Sequence, residues 1–327
     1  MSDTIQVENL TKHYGDLVAV DHASFAVHEG EVFGLLGPNG AGKTTTIRML
    51  TGLTKPTSGT ALVDGLDLAR DPLAAKERIG VVSDVASLYD ELSAWDNLQF
   101  VARLHGMEKR KRLGRAEELL RLFGLYDRRR HRAGTFSTGL KKRLLIAAAL
   151  IHEPQILFLD EPTTGLDIQS ARLIRGLIGE LTGNQVTILL TTHYIEEADQ
   201  LCQRIAILNR GQIIAIDTPE RLKNLVQQEM VLQISFDQPA DRAARQIQAL
   251  DHTGSADISG ERVTVHVQDP AQALPRIIDL AREHHLNIVS LNTTKPTLED
   301  AFVALTGLHP EVMTTEHSPL EHQDGEQ

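Results

Sequence analysis

Between an apolar run ending at Leu36 and a helical pattern opening near Lys43 lies Gly37-Pro38-Asn39-Gly40-Ala41-Gly42-Lys43-Thr44, and no other segment constrains the fold as tightly. It matches G-x-x-x-x-G-K-[ST] where that pattern has physical meaning, after a strand and before a helix. Glycines let the backbone wrap a phosphate with its amides inward, and the helix N-terminus adds positive dipole. Lys43 reaches outer phosphates, and Thr44 offers a hydroxyl to magnesium. The plain alternative is a glycine-rich turn without function. Eight matching positions in the right context favour a nucleotide.

A phosphate loop alone does not select among kinases, GTPases and motor ATPases. The second element is Ile156-Leu157-Phe158-Leu159-Asp160-Glu161, an apolar strand ending in two carboxylates. That geometry suits a magnesium ion on Asp160 and an attacking water on Glu161. Two surface acids capping a helix are the alternative, which the apolar strand and Pro162 disfavour.

The first 220 residues alternate short apolar runs with helical patterns, as βαβ-type sheets do. Strands are expected at Ile5–Leu10, Glu31–Leu36, Ile156–Asp160 and Thr187–Thr191. From Trp95 to Leu150 the pattern is helical, with Leu119, Leu120, Leu122 and Phe123 at helix spacing, so this stretch reads as an insertion. Beyond Thr218-Pro219 the pattern changes. Leu232, Ile234 and Phe236 alternate, Ala243, Ile247 and Leu250 recur helically, and a short strand falls at 256–258. Val263, Val265 and Val267 form a strand, 273–284 a helix and 287–291 a strand, which gives the ferredoxin-like order β-α-β-β-α-β. Residues 309–327 show no periodicity and are expected to form a disordered tail.

Between the two nucleotide elements stands Phe136-Ser137-Thr138-Gly139-Leu140, before a helix expected from Lys141. It resembles the signature motif of ABC-type ATPases. Gly165-Leu166-Asp167 is similar to the family's D-loop, Thr192-His193 to its switch histidine, and Tyr14 stands at its adenine-stacking aromatic. The order of these landmarks identifies the chain as resembling an ABC transporter ATP-binding subunit. The segment Pro296–Gly307 resembles the end of the accessory domain in the branch that includes drug and sodium exporters.

The resemblance implies an α/β phosphate-loop NTPase fold with a mixed sheet and a helical insertion at about 95–150. This ABC domain would span 1–220, followed by a small α+β ferredoxin-like domain at 221–308 and the tail. It further implies that Tyr14 stacks on adenine and that Gly37, Pro38, Asn39, Gly40, Ala41, Gly42, Lys43, Thr44 and Thr45 hold the phosphates of ATP. Thr44 and Asp160 would hold Mg2+, Glu161 would be the general base, and His193 would contact the γ-phosphate. Ser137, Gly139 and Asp167 would act in trans on the ATP of a second protomer. The implied partners are that protomer and an integral membrane permease.

Two departures from the family pattern stand out, one at Asp84 and one in the signature. Asp84 stands where the family usually has glutamine; it is shorter and anionic, could face magnesium, and cannot donate when ionised. Thr138 and Leu140 replace the commonest glycine and glutamine of the signature.

The remaining residues carry weaker signals. On sequence alone Tyr14 reads equally as a half-buried aromatic. His284-His285 point about 100° apart on a helix, with no cysteine cluster beside them, and read as structural or solvent-facing rather than as metal ligands. Cys202, expected in a helical segment Glu196–Arg204, reads as a small core residue.

Charge bears on the alternatives. The chain carries 33 basic and 44 acidic residues, net −11, which opposes a general nucleic-acid role. The alternative of a soluble ABC-type ATPase acting on DNA or ribosomes also lacks its usual marks. No sustained heptads lie between Lys43 and Ser137, and there is one cassette. The average conceals a polarity, because Arg103–Arg132 holds eleven bases and four acids while 309–327 holds five acids and no Lys or Arg. The basic run reads either as a solvated helix face or as a surface toward an anionic membrane.

The longest apolar run, Leu144–Ile151, has eight residues, against the roughly 20 that span a bilayer. The start shows no basic-then-apolar pattern, and one cysteine makes no intrachain disulfide. A cytoplasmic protein, peripheral on the inner face of the membrane, is expected.

Overall fold

The computed structural model describes residues 2–83, 88–183, 185–225, 230–238, 247, 253–267, 270–294 and 296–308. Asp84, the Ala243–Leu250 helical pattern apart from Ile247, and the acidic tail lie outside the described residues. The chain divides into two compact units, one of Met1–Leu222 with the described residues 305–308 and the other of Lys223–Ala304.

In the first unit, β3 (Val32–Leu36), β7 (Ile156–Asp160) and β8 (Thr187–Thr192) are buried at every position. Continuous burial is what parallel strands covered on both faces require, and it explains their unbroken apolar runs. They join β6 (Ile79–Val82), β9 (Arg204–Asn209) and β10 (Gln212–Asp217) in a six-stranded sheet of order β10-β9-β3-β8-β7-β6. All neighbours pair in parallel except β10, which is antiparallel to β9, so the sheet is mixed.

A second, antiparallel sheet has the order β2-β1-β4-β5, from β1 (Asp3–Tyr14), β2 (Leu17–His28), β4 (Ser58–Val63) and β5 (Leu66–Asp67). Its inner residues Ile5, Val7, Val20 and Val63 share one core with Phe33, Leu35, Phe158 and Leu189 of the mixed sheet. Helix α1 (Lys43–Leu50) contributes Ile47 and Leu50 to that core, and Phe25 stacks on Phe33 at 5.4 Å between ring centres. Burying such side chains stabilises the fold by about 1.5–3 kcal/mol each, so the core anchors both ends of the phosphate loop. Helix α2 (Pro72–Glu77) precedes β6.

The insertion consists of α3 (Ala94–Leu104), α4 (Lys109–Leu122) and α5 (Thr138–Ala149), with two short 3-10 turns between the last two. Leu119, Leu120 and Phe123 are buried, but Leu122 is exposed, at the edge of the buried stripe of α4. Several bases of α4 pair with carboxylates at the surface, as Arg115 does with Glu118 and Arg121 with Glu117. Helix α5 begins three residues before the expected Lys141. Ser137 is its N-cap, and the Ser137 Oγ accepts from the Leu140 amide at 3.4 Å, which lets the turn form over Thr138-Gly139.

Helix α6 (Ile168–Gly183) follows β7, and α7 (Ile195–Leu201) follows β8. The helix expected over Glu196–Arg204 ends at Leu201, because Arg204 already pairs in β9. Cys202 is the extended residue between them, 6% exposed, and an added Cβ on Gly34 would meet its sulfur at 2.6 Å. Helix α8 (Pro219–Leu225) follows β10.

The second unit contains β11 (Met230–Phe236), β12 (Thr253–Ser259), β13 (Arg262–Val267), α9 (Pro270–Glu283) and β14 (Ile288–Thr294), followed by α10 (Leu298–Thr306). Its sheet is antiparallel in the order β12-β13-β11-β14. That is the strand order the ferredoxin-like pattern demands. Leu232, Ile234, Val263 and Val265 alternate inward against Ile277 and Ala281 of α9. Among the described residues, no helix is long and apolar enough to cross a membrane.

Candidate functional site

The phosphate loop leaves β3 and enters α1 under tight steric limits. A Cβ on Gly37 would meet the Leu208 carbonyl oxygen at 2.4 Å, and Gly42, at φ 102°, would bring a Cβ within 2.5 Å of the Ala19 oxygen. Only glycine meets both conditions. The Gly37 amide donates to Thr192 O at 3.3 Å, which ties the loop to the end of β8.

Lys43 is 4% exposed, and its Nζ donates to the carbonyls of Gly37 at 2.7 Å and Pro38 at 3.0 Å. The same ammonium lies 3.5 Å from Glu161 Oε1. Burial lowers its pKa, against the opposing charges of Glu161 and Asp160. A buried ammonium is tolerated only with such partners.

Asp160 and Glu161 stand at the C-terminal end of β7, where open α/β sheets place ligands. Asp160 Oδ1 accepts from the Thr44 hydroxyl at 3.1 Å and from the Thr191 hydroxyl at 2.5 Å. The Thr191 oxygen in turn accepts from the Glu161 amide at 3.0 Å. One hydroxyl therefore links the two acids. Glu161 sits at φ 45°, a left-handed conformation that costs an L-residue roughly 1–2 kcal/mol. Its Oε2 accepts from Thr164 at 3.0 Å. His193, 8% exposed at the end of β8, brings Nδ1 to 3.2 Å from Glu161 Oε1 without the alignment of a hydrogen bond. Burial opposes ionisation of Glu161, but the imidazole, the Lys43 ammonium and the Thr164 hydroxyl outweigh it and hold the carboxyl at about 2.

A cleft of about 440 Å³ gathers Tyr14, Asn39, Gly40, Gly42, Lys43, Thr44, Thr45 and Glu161. Tyr14 is 46% exposed at the end of β1, with Lys12 Nζ 4.9 Å from its ring centre. Leu17, Val18, Ala19 and Arg210 line the same cleft and were not among the sequence candidates. The signal for Leu17 and Val18 is an apolar pair just beyond the Gly15-Asp16 turn that follows Tyr14. Arg210 gave none, since it comes from the turn between β9 and β10.

Ser137, Gly139 and Asp167 lie outside that cleft. Gly139 is buried where a Cβ would meet Ser170 Oγ at 2.5 Å. Asp167 accepts from the Ser170 amide at 2.9 Å and its hydroxyl at 2.8 Å. These bonds, the amide first, lower the Asp167 pKa. Among the described residues, no three His, Cys, Asp or Glu cluster as metal ligands.

A phosphate loop on a mixed sheet, two acids ending the neighbouring strand and a helical insertion define a nucleotide-hydrolysing cassette. A family model described as ABC transporter matches residues 20–164. The linearmycin resistance ATP-binding protein LnrL of Bacillus subtilis (strain 168) is 36% identical over 305 residues, 93% of this chain and 98% of that protein. The daunorubicin/doxorubicin resistance ATP-binding protein DrrA of Streptomyces peucetius is 38% identical over 321 residues, 98% and 97% of the two chains. Among solved structures, an ATP-binding subunit of an ABC transporter matches with a TM-score of 0.62 at 30% identity, over 68% of this chain and 92% of that one. A dimeric, post-hydrolysis ATP-binding cassette, MJ0796 bound to ADP and Pi, matches with a TM-score of 0.60 at 27% identity, over 65% and 98%.

The chain belongs to the ABC transporter family and is one of its ATP-binding, ATP-hydrolysing subunits.

Proposed function

We propose that the chain binds ATP with Mg2+ in the phosphate-loop cleft, hydrolyses it between two cassettes, and energises a separate integral membrane permease that exports antibiotic-like compounds. The observation carrying this reading is Glu161, held at the phosphate loop by Lys43 and beside His193. The resistance proteins to which the chain is similar over nearly its whole length support the export direction and cargo class.

Thr44 and Asp160 fit a magnesium site, because they bring two hard oxygens together on adjoining elements, and Mg2+ takes few protein ligands beside substrate phosphates. When bound there, the ion would neutralise charge on the β- and γ-phosphates. The loop amides between Asn39 and Thr45 hold phosphate oxygens, and Lys43 adds a charge-assisted bond. Glu161 is ionised throughout the neutral range and accepts a proton from the attacking water. His193 contacts the γ-phosphate and steadies charge as it develops. Tyr14, flanked by Leu17 and Val18, stacks on adenine. Ser137, Gly139 and Asp167, outside the cleft of their own protomer, meet the nucleotide of the second. The protein works on the cytoplasmic face of the membrane.

Purification of the tagged full-length chain from detergent-solubilised membranes tests this reading. A polytopic membrane protein should accompany it in stoichiometric amount. Recovery with ribosomes or DNA and no membrane protein would replace the reading with that of a soluble ATPase.

Part of the basic insertion also has a place in this scheme. Arg129 is occupied, donating to the Tyr126 carbonyl at 2.9 Å and lying 4.2 Å from its ring centre. Arg128, Arg130 and Arg132 are exposed. A basic residue close to an anionic leaflet contributes about 1 kcal/mol. Neutralising these three should shift the chain from membrane to soluble fractions and leave ATPase activity in solution unchanged; an unaltered partition removes the role.

A further inference from the structure

Lys142 lies on α5, five residues after Ser137 and outside the phosphate-loop cleft. Its ammonium donates to the backbone carbonyl of Glu161 at 3.2 Å. That carbonyl also meets the Thr164 amide at 3.4 Å, and the Glu161 amide is held by Thr191. Both polar groups of this peptide segment are therefore gripped from other elements. The grip matters because Glu161 is in the left-handed region, which persists only where surrounding structure imposes it.

We infer that Lys142 is a positioning residue, fixing the main chain of Glu161 and coupling it to the helix that carries Ser137. The inference rests on the proposed roles of Glu161 and Ser137. If Ser137 meets the nucleotide of the second protomer, then α5 joins two nucleotide sites. Its first turn faces one, and Lys142, one and a half turns on, holds the catalytic carboxylate of the other.

A purely structural task for Lys142 is the rival explanation, and its surroundings make that rival specific. Burial lowers the Lys142 pKa, while Asp160, Glu161 and Glu197 oppose the shift. Glu197 on α7 is 1% exposed; its Oε1 accepts from Thr163 at 2.7 Å, and its Oε2 has no hydrogen-bond partner. Lys142 supplies positive charge near this buried carboxylate. Were that its whole task, replacing it would lower stability and leave turnover per folded molecule and cooperativity unchanged. A tether on Glu161 predicts a different signature, because a displaced general base slows chemistry without loosening nucleotide binding.

The experiment uses the full-length chain and the variants Lys142→Met, Lys142→Arg and Glu161→Gln, with ATP turnover expressed per folded molecule. Lys142→Met should lower kcat about tenfold or more, equivalent to about 1.4 kcal/mol of barrier. KM for ATP should stay within about twofold, and any Hill coefficient above 1 in the wild type should fall toward 1. Lys142→Arg, which keeps charge and donor, should recover most of kcat. Wild-type kcat in Lys142→Met, or a loss confined to KM, overturns the inference. If Lys142→Met does not fold, Lys142→Gln keeps a donor without the charge; it should turn over more slowly at unchanged KM, and wild-type turnover overturns the inference equally. Glu161→Gln separates the two levels. If it hydrolyses ATP normally, the proposed role of Glu161 fails; if it is inactive while Lys142→Met is normal, only the tether fails.

Discussion

Glu161→Gln should reduce steady-state ATP hydrolysis by about 10²–10⁴-fold, the contribution typical of a positioned general base, and leave nucleotide binding close to wild type. Glutamine is nearly isosteric and preserves the acceptor that Thr164 uses, so the turn at φ 45° has no new reason to rearrange. What disappears is the negative charge beside Lys43 and the ability to take a proton from water. Removing that charge lessens repulsion of the phosphates, so ATP affinity should hold or rise while chemistry slows. A cassette that binds ATP and does not hydrolyse it should accumulate as the closed dimer. Gel filtration with and without ATP, beside a phosphate-release assay, reads both quantities. Turnover near wild type would remove Glu161 from the chemistry.

The parts of the site legible in the sequence were those in which one short segment carries the whole physical requirement. The phosphate loop is such a segment, since its glycines, lysine and threonine each answer a local demand and the flanking strand and helix are continuous in sequence. The same holds for Ile156–Glu161, where full burial writes an uninterrupted apolar run ending in acid. Thr191 was not legible. Its hydroxyl joins Asp160 to the Glu161 amide across neighbouring strands, and nothing in Thr187–Thr192 distinguishes a bridging threonine from a strand-forming one. Arg210 entered the cleft by topology alone.

The fold shows the same division. Strands β3, β7 and β8 were visible because burial on both faces leaves them apolar. Strand β2 was not, since Asp21 and His22 interrupt its alternation, with His22 at φ 49° and irregular pairing to β1. Bulges break the period of 2 on which strand reading depends. In the second unit β11 and β13 each bury one face, so Leu232, Ile234, Val263 and Val265 announced the ferredoxin-like sheet through their alternation.

Lys43→Ala should weaken ATP binding about 100-fold or more, because hydrogen bonds to charged groups contribute about 1.5–3 kcal/mol each and the ammonium can make more than one to the phosphates. The fold should survive. Ile47 and Leu50 hold α1 in the core, and Gly37 and Gly42 keep the loop path through contacts that do not involve the lysine. The Gly37 and Pro38 carbonyls do lose the ammonium, though Pro38 still accepts from the Ala41 amide, and Glu161 loses the Lys43 charge. The variant should therefore melt somewhat lower than wild type while keeping its circular dichroism spectrum. Lys43→Arg should not restore affinity, since a planar guanidinium needs more room than a side chain 4% exposed leaves it. Calorimetric titration with ATP separates this from Glu161→Gln: loss of Lys43 should be read first in affinity, and loss of Glu161 in turnover alone. Wild-type affinity in a folded Lys43→Ala protein would mean that phosphates are held by loop amides alone and that Lys43 serves only to pair with Glu161.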